Sequence, residues 1–584
     1  MKKESQRQPS ISSEEKKGLV NKAEAKRQSP LSFGEGKGVR LALVGILIIT
    51  LVGFSFTPPA EKYFDIAKSL DIFATLFKEV NAYYVDEVDP TDLVSKGIDG
   101  MLQSLDPYTD YIPEENLEEF SIQTTGQYAG IGALIGVINN KTVVTNPYDG
   151  FPANKAGLKV GDQIVSVDGV NIEGKSTTQV STLLKGKPNT AVKLVVKRVG
   201  KSEDLVLNIN RQKIKLSNVV YQGVVDENIG YIKLDDFTPG ASKEVEAAVL
   251  DLKKQGAKKI ILDLRDNPGG LLYEAVNMVN LFIPKGLEVV STKGKVKDWN
   301  KTYVSLNNPI DTTIPLAILT SGGSASAAEI VAGALQDYDR AILVGQRTFG
   351  KGLVQTTRQL SYNAQLKVTT AKYYIPSGRC IQALDYAHRH KDGSVDKFAD
   401  SLKSEFLTKG GRKVYDGGGL DPDVEVNNEY LSPAAIQLIT SGYMFDYATI
   451  YCAQHPGLNS VQNFKLSEED YKKFGVWLDE KKFVFSSDLE EQMEQLVEVA
   501  RKERTYSEIQ GQLNALKNQI EQNRTKDLMR YKDEIGKMLE EEIAFHFGLI
   551  KAQVELSLQR DNELNEAVKT LQQEDQYKNL LSSR

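Results

Sequence analysis

The sequence predicts a multidomain α/β protein, and three observations carry that prediction. Residues 213–430 alternate strand-like and helix-like runs, residues 121–212 hold short strands between Gly-rich turns, and residues 431–584 contain no proline after Pro456. In the first region GYIKLDDF (230–237) reads as a strand. ASKEVEAAVLDLKKQG follows as an amphipathic helix closed by Gly256. KKIILDLRDNPGGLL (258–272) reads as a buried strand that ends in a glycine turn. A chain of 584 residues has room for about three or four domains. A net charge of −6 gives no reason to expect a nucleic-acid partner. Cys380 and Cys452 define neither a disulfide framework nor a zinc site.

Residues 1–38 are polar, rich in Lys, Ser and Glu, and read as a disordered tail. Ser13 and Lys16 have a Ser-x-x-Lys spacing, but no apolar helix supports it. Residues 41–56, LALVGILIITLVGFSF, are an uncharged apolar run behind Lys37 and Arg40. The segment 39–57 is expected to be a retained membrane anchor rather than a cleaved signal, with its N-terminus in the cytoplasm. Over 60–120, Phe64, Ala67, Leu70, Ile72, Leu76 and Val80 recur at helical steps. Residues 486–584 are highly charged with the same spacing, so 431–584 is expected to be a helical extension, most simply a solvated appendage.

The chemistry concentrates in residues 319–355, LTSGGSASAAEIVAGALQDYDRAILVGQRTFGKGLVQ. A Gly/Ser turn precedes a helix-like run, so a serine there has its hydroxyl and neighbouring N–H groups exposed. Such a serine needs a base. None of the four histidines, His388, His390, His455 and His546, lies in a setting that suggests a triad. A lysine kept neutral by burial can replace histidine, and Lys351 sits among Phe349, Leu353 and Val354. Ser324 and Ser326 both qualify as the nucleophile on this reasoning. GQRTFGK (345–351) fits a phosphate-binding loop up to its last position, where Gly352 replaces Ser/Thr and a strand-like run follows. A nucleotide site is therefore set aside.

The segments SASAAEI (324–330) and FGKGLVQ (349–355) resemble those of the C-terminal processing peptidases, also called tail-specific proteases. The resemblance implies a mixed-sheet Ser–Lys protease core over 213–430. Ser326 would be the nucleophile and Lys351, 25 positions later, the general base. Gln355 would orient the lysine, and Asp337 matches an acidic residue found near the site in some members. The LRDNPGG turn would supply one oxyanion-hole N–H from Gly269 or Gly270, and Ala327 the other. Arg265 and Asn267 would pin that turn. The strings YAGIGALIG (128–136), PANKAGLKVGDQIVSVDGVNI (152–172) and AVKLVVKR (191–198) resemble a PDZ domain spanning 121–212. There Ile131, Gly132 and Ala133 would line the loop that receives a peptide carboxylate, Leu183 and Leu184 would line the groove, and the peptide would add to a strand edge.

The segment from Tyr83 to Ile112 resembles the family's N-terminal helical region, and QLKVTTAKYYIPSGRCIQ (365–382) and GGLDPDVEV (418–426) its cleft-flanking strands. The tail from 431 lies outside the resemblance. The implied activity is serine endopeptidase cleavage of extracytoplasmic proteins near free C-termini, with no metal or other cofactor. The PDZ domain would capture the substrate end and could gate the site, and residues 60–120 would serve dimer contact. The expected location is the bacterial cytoplasmic membrane, as a single-pass protein with its catalytic part on the periplasmic side. A catalytically silent PDZ scaffold is the alternative of a different class. A penicillin-recognising Ser–Lys hydrolase would want a helix-borne Ser-x-x-Lys and a Lys-Thr-Gly strand, and neither stands in a suitable context.

Overall fold

A computed structural model describes residues 60–582, apart from 391–392, 428–430, 458–462 and 484–487. The expected anchor over 39–57 lies outside these residues. Among the described residues no helix is long and apolar enough to cross a membrane. The helix Ala60–Tyr83 has the length, 24 residues, but Asp65, Lys68, Asp71, Lys78 and Glu79 interrupt it with charge. The expected single-pass placement, with the catalytic part on the periplasmic side, is corrected on this ground: no described element provides the span. The chain divides into two units, residues 1–95 and 96–584. In the first, the helix Ala60–Tyr83 leaves Phe64, Leu70 and Leu76 exposed.

The second unit is built on a six-stranded sheet that runs in chain order. Its strands are β1 (Val219–Asp226), β2 (Ile229–Leu234), β3 (Lys259–Asp263), β4 (Leu316–Thr320), β5 (Ile342–Gly345) and β6 (Val424–Glu425). Only β1 is antiparallel to its neighbour. The strands β3, β4 and β5 read as unbroken apolar runs because parallel strands of this kind are covered on both faces. One face carries Ile232, Leu234, Ile260, Leu262, Leu316, Ile318 and Leu343. It packs on α1 (Ala241–Lys254), α2 (Leu272–Asn280) and α3 (Ala327–Asp337).

The opposite face presents Tyr231, Ile261, Ala317, Leu319, Ile342 and Val344. Here the structure overturns the expectation of a solvated appendage. Helices α4 (Lys532–Ser557), α5 (Asn562–Gln572) and α6 (Glu574–Leu580) bring Val554, Leu564, Ala567, Leu571 and Tyr577 onto this face. The Tyr577 hydroxyl accepts from the Leu316 N–H at 3.0 Å, and Lys259 Nζ donates to the Leu571 carbonyl at 2.8 Å. These helices are thus a layer of the unit built on the central sheet. Their charged pattern hid this, because α5 is strongly amphipathic and spends only one face on the sheet.

A second sheet pairs Gln365–Tyr374 with Leu353–Gln359, Glu288–Gly294 and Asp110–Ile112. A third, smaller β region carries strands from Ala133–Ile138 to Leu205–Asn210 and the helix Thr177–Leu184. That helix starts at a Ser176/Gln179 capping box. Val144, Ile164, Val180, Leu184, Leu194 and Ile209 form its own core.

Leu571→Ala should lower the unfolding free energy by about 2–5 kcal/mol. The same truncation at the half-exposed Leu516 should cost under about 0.5 kcal/mol. Urea unfolding of the two variants checks this, and equal small losses would remove α5 from the core.

Candidate active site

Strand β4 ends at Thr320, and the chain turns through Ser321–Ala325 into α3. Ser326 sits at the helix entry with φ 55° and ψ −112°, a backbone that non-glycine residues adopt only under constraint. Several bonds supply the constraint. The Ser326 N–H donates to Glu329 Oε2 at 2.9 Å, and its carbonyl accepts from Ile330 N and the Tyr373 hydroxyl. Ser324 is placed differently. It is buried, its hydroxyl donates to the Leu264 carbonyl at 2.7 Å, and the same oxygen accepts from Ser321 N. That hydroxyl is spent on joining two loops. Ser326 instead lines a cavity of about 310 Å³, walled by Phe237, Leu272, Ile330, Leu353 and Tyr373 and lined also by Phe120 and Thr124.

The LRDNPGG turn lies against this serine. The Ala325 N–H donates to the Asn267 carbonyl at 2.9 Å, and Asn267 Nδ2 donates to the Leu234 carbonyl at 2.7 Å. Gly269 has φ +96°, and a Cβ there would stand 2.7 Å from the Ala325 carbonyl and 2.8 Å from the Ser326 Cβ. Only glycine fits so close an approach. The two turn glycines are not equivalent as donors. Gly269 spends its N–H on Asn267 Oδ1 at 2.8 Å. The N–H groups of Gly270 and Ala327 have no acceptor among the described residues. Both residues line the cavity beside Ser326.

Lys351 is half-buried, and burial, followed by the neighbouring Lys367, holds its amine below the usual lysine range. Its Nζ lies 4.3 Å from the Tyr108 ring centroid, a cation–π contact, and has no hydrogen bond to Ser326 among the described residues. Gln355 donates to Thr369 Oγ1 at 3.1 Å instead of reaching the lysine. Asp337 is not brought to the site. It pairs with Arg379 at 2.8 Å and accepts from Ser377 N at the far end of α3, about 16 Å from Ser326 by helix rise.

Two further residues belong to this geometry and escaped the sequence reading. Glu329 is fully buried and accepts from Ser326 N, Thr348 Oγ1, Gly350 N and Lys351 N at 2.6–2.9 Å. It therefore ties the serine turn to the lysine loop. The Ser-x-x-Glu spacing of a capping box was the available signal. Tyr108, the perch of the lysine, comes from the LDPYTDY segment, where Asp106 folds the turn by accepting from Tyr108 N and Thr109 N at 2.8 Å. No local pattern shows that this turn reaches Lys351.

In the smaller β region, Ala133–Ile138 is one of the edge strands of its sheet. Ile131 is buried, and its carbonyl accepts from Ala153 N at 2.8 Å. Gly132 has φ +76°, and a Cβ there would meet Phe151 at 2.5 Å. Ala133 begins the edge strand. Leu184 belongs to the core rather than to a groove, and Leu183 is only partly buried. The carbonyls of both are capped by the Arg211 guanidinium.

Comparison with known proteins fits this organisation. Residues 228–387 match peptidase family S41, residues 143–198 match the PDZ domain, and residues 434–571 match a domain described as "Probable PDZ-protease, C-terminal helical domain". A carboxy-terminal-processing protease of Bartonella bacilliformis is 38% identical over 321 residues, covering 54% of this chain and 73% of that one. The carboxy-terminal processing protease CtpA of Bacillus subtilis is 32% identical over 433 residues, covering 73% of this chain and 89% of that one. Among solved structures, a photosystem II D1 C-terminal processing protease is 29% identical over 62% of this chain and 93% of its own, with a TM-score of 0.32. The long matches to the curated relatives, together with the S41 segment that carries Ser326 and Lys351, identify the chain as a member of the carboxy-terminal processing serine peptidases of family S41, with a PDZ domain.

Proposed function

We propose that the protein is an endopeptidase that cleaves protein substrates near their C-termini by a Ser–Lys mechanism. The observation that carries this reading is the convergence, in one apolar cavity, of Ser326 with the two unengaged N–H groups of Gly270 and Ala327. Lys351 takes the proton of the Ser326 hydroxyl, and Oγ attacks the scissile carbonyl. The oxyanion that forms accepts from Gly270 and Ala327, with Gly269 acting as the close-packed spacer that sets their distance. Collapse breaks the C–N bond, and Lys351 returns its proton to the leaving amine. Water, activated by the same amine, then hydrolyses the acyl-enzyme. Each oxyanion donor in such a site is worth about 10²–10³ in rate. The walls of Phe237, Leu272 and Ile330 fit an apolar side chain next to the cleaved bond.

The reading includes a resting state. Lys351 lies on Tyr108, and a cation on an aromatic face is stabilised as the ammonium. For catalysis the amine leaves that ring and turns to Ser326, where Gln355 orients it. Capture of a substrate C-terminus by the loop at Ile131, Gly132 and Ala133 is the event that supports this change.

An unfolded reporter with an apolar C-terminus tests the reading. Ser326→Ala and Lys351→Ala should each lower cleavage by about 10⁴-fold or more, whereas amidating the reporter C-terminus should raise KM. With a lysine base held below its ordinary range, kcat/KM should climb as pH rises and the amine loses its proton. Undiminished cleavage by Ser326→Ala would sink the nucleophile assignment.

A second expectation concerns stability. Burial lifts the Glu329 carboxyl from 4.5 to about 7, with its hydrogen bonds to Thr348, Lys351, Gly350 and Ser326 pulling the other way. A carboxyl raised on folding binds a proton as the chain folds. Its contribution is complete below pH 4.5 and is lost as pH rises toward 7. The unfolding free energy of wild type relative to Glu329→Gln should therefore decline over that window, by at most about 3 kcal/mol. Urea titrations across the range measure it, and a difference that stays flat with pH would contradict the assignment.

A further inference from the structure

Arg265 stands two residues before Asn267 in the turn that faces Ser326, but its guanidinium points away from the serine. It reaches Asp263, in β3, and two residues at the start of α5. Its Nη1 donates to Asp561 Oδ1 at 3.0 Å and to Glu563 Oε2 at 2.5 Å, and Nη2 donates to Asp561 Oδ2 at 2.6 Å. The Asp263 side of the fork is closed by Nε and by Nη2 at 2.6 Å, with the Tyr231 hydroxyl donating to the same carboxylate. The arginine and both α5 carboxylates are largely buried. Asp561 is itself fixed as the N-cap of α5, accepting from Leu564 N at 2.9 Å. Glu563 also accepts from Gln346 Nε2 at 3.2 Å, at the start of the loop that carries Lys351.

The oxyanion turn is therefore held from two sides. On one side Asn267 and Gly269 rest on the serine segment, and on the other Arg265 is clamped by the last helices of the chain. Buried ion pairs of this kind add little net stability but fix geometry when every donor is met. We propose that Asp561 and Glu563 are positioning residues for the peptidase site. They hold Arg265, and through it the Asn267–Gly270 turn, and Glu563 also holds the Gln346 end of the lysine loop. The C-terminal helices thereby set the oxyanion geometry. This inference rests on the Ser326 reading given above.

The test uses the full chain and the same reporter. Asp561→Asn with Glu563→Gln removes both charges at nearly unchanged volume. We expect kcat to fall about 10- to 100-fold, with KM and affinity for a C-terminal peptide held within about twofold, since the loss falls on transition-state contacts. Glu563→Asp, which keeps the charge, should stay within about threefold of wild type. Glu574→Gln with Asp575→Asn, an equal charge change at exposed positions of α6, should leave the rate unchanged. Wild-type kcat in the double variant, beside an inactive Ser326→Ala, would overturn the proposal, as would parallel losses in kcat and peptide affinity. If the double variant does not fold, Glu563→Gln alone decides, because the Asp561 pair with Arg265 is retained. Cleavage by Ser326→Ala would show instead that the site itself is elsewhere, and the proposal would fall with it.

Discussion

One buried carboxylate organises the catalytic region. Glu329 has no exposed surface, and all four of its donors come from the two loops that must meet, Ser326 on one side and Thr348, Gly350 and Lys351 on the other. Removing water from a carboxylate is costly unless its lone pairs are filled. The donors fill them, and in doing so they fix where both loops can lie. The left-handed backbone at Ser326 persists because this network over-determines it.

The central sheet sets the second constraint. A parallel sheet must be covered on both faces. Helices α1–α3 cover one face, and they come from the crossovers that any βαβ reading would place there. The other face is covered by the last segment of the chain, through Leu564, Ala567, Leu571 and Tyr577. The LRDNPGG turn leaves the C-terminal end of β3, so the helices that stabilise the sheet also reach that turn through Arg265. Arg265 joins Asp263, at the end of β3, to Asp561 and Glu563 at the start of α5.

The Lys351 amine is set on an aromatic ring, with no hydrogen bond to Ser326 among the described residues. Lys351 is half-buried, which lowers its pKa, and its amine rests on Tyr108. The aromatic face favours the charged form, whereas burial and the neighbouring Lys367 favour the neutral one.

The sequence by itself determined the composite α/β architecture, the PDZ-like strings around Gly132 and Gly161, and the two short segments that carry Ser326 and Lys351. Those features are local: periodicity, turn glycines and residue type at fixed spacing suffice to express them. Only the tertiary structure distinguishes the environments of Ser324 and Ser326, because only the fold shows that the first hydroxyl is spent on Leu264. It distinguishes Gly269 from Gly270 in the same way, since the Gly269 N–H is spent on Asn267. It also removed Asp337 from the site and Leu184 from the groove, and brought Tyr108 and Glu329 in. The tail from 431 looked like a solvated helix because an amphipathic pattern records how much of a face is apolar, not what it packs against. Its partner is a sheet face more than two hundred residues earlier, and contacts at that range are fixed by the closed fold rather than by any local run of residues.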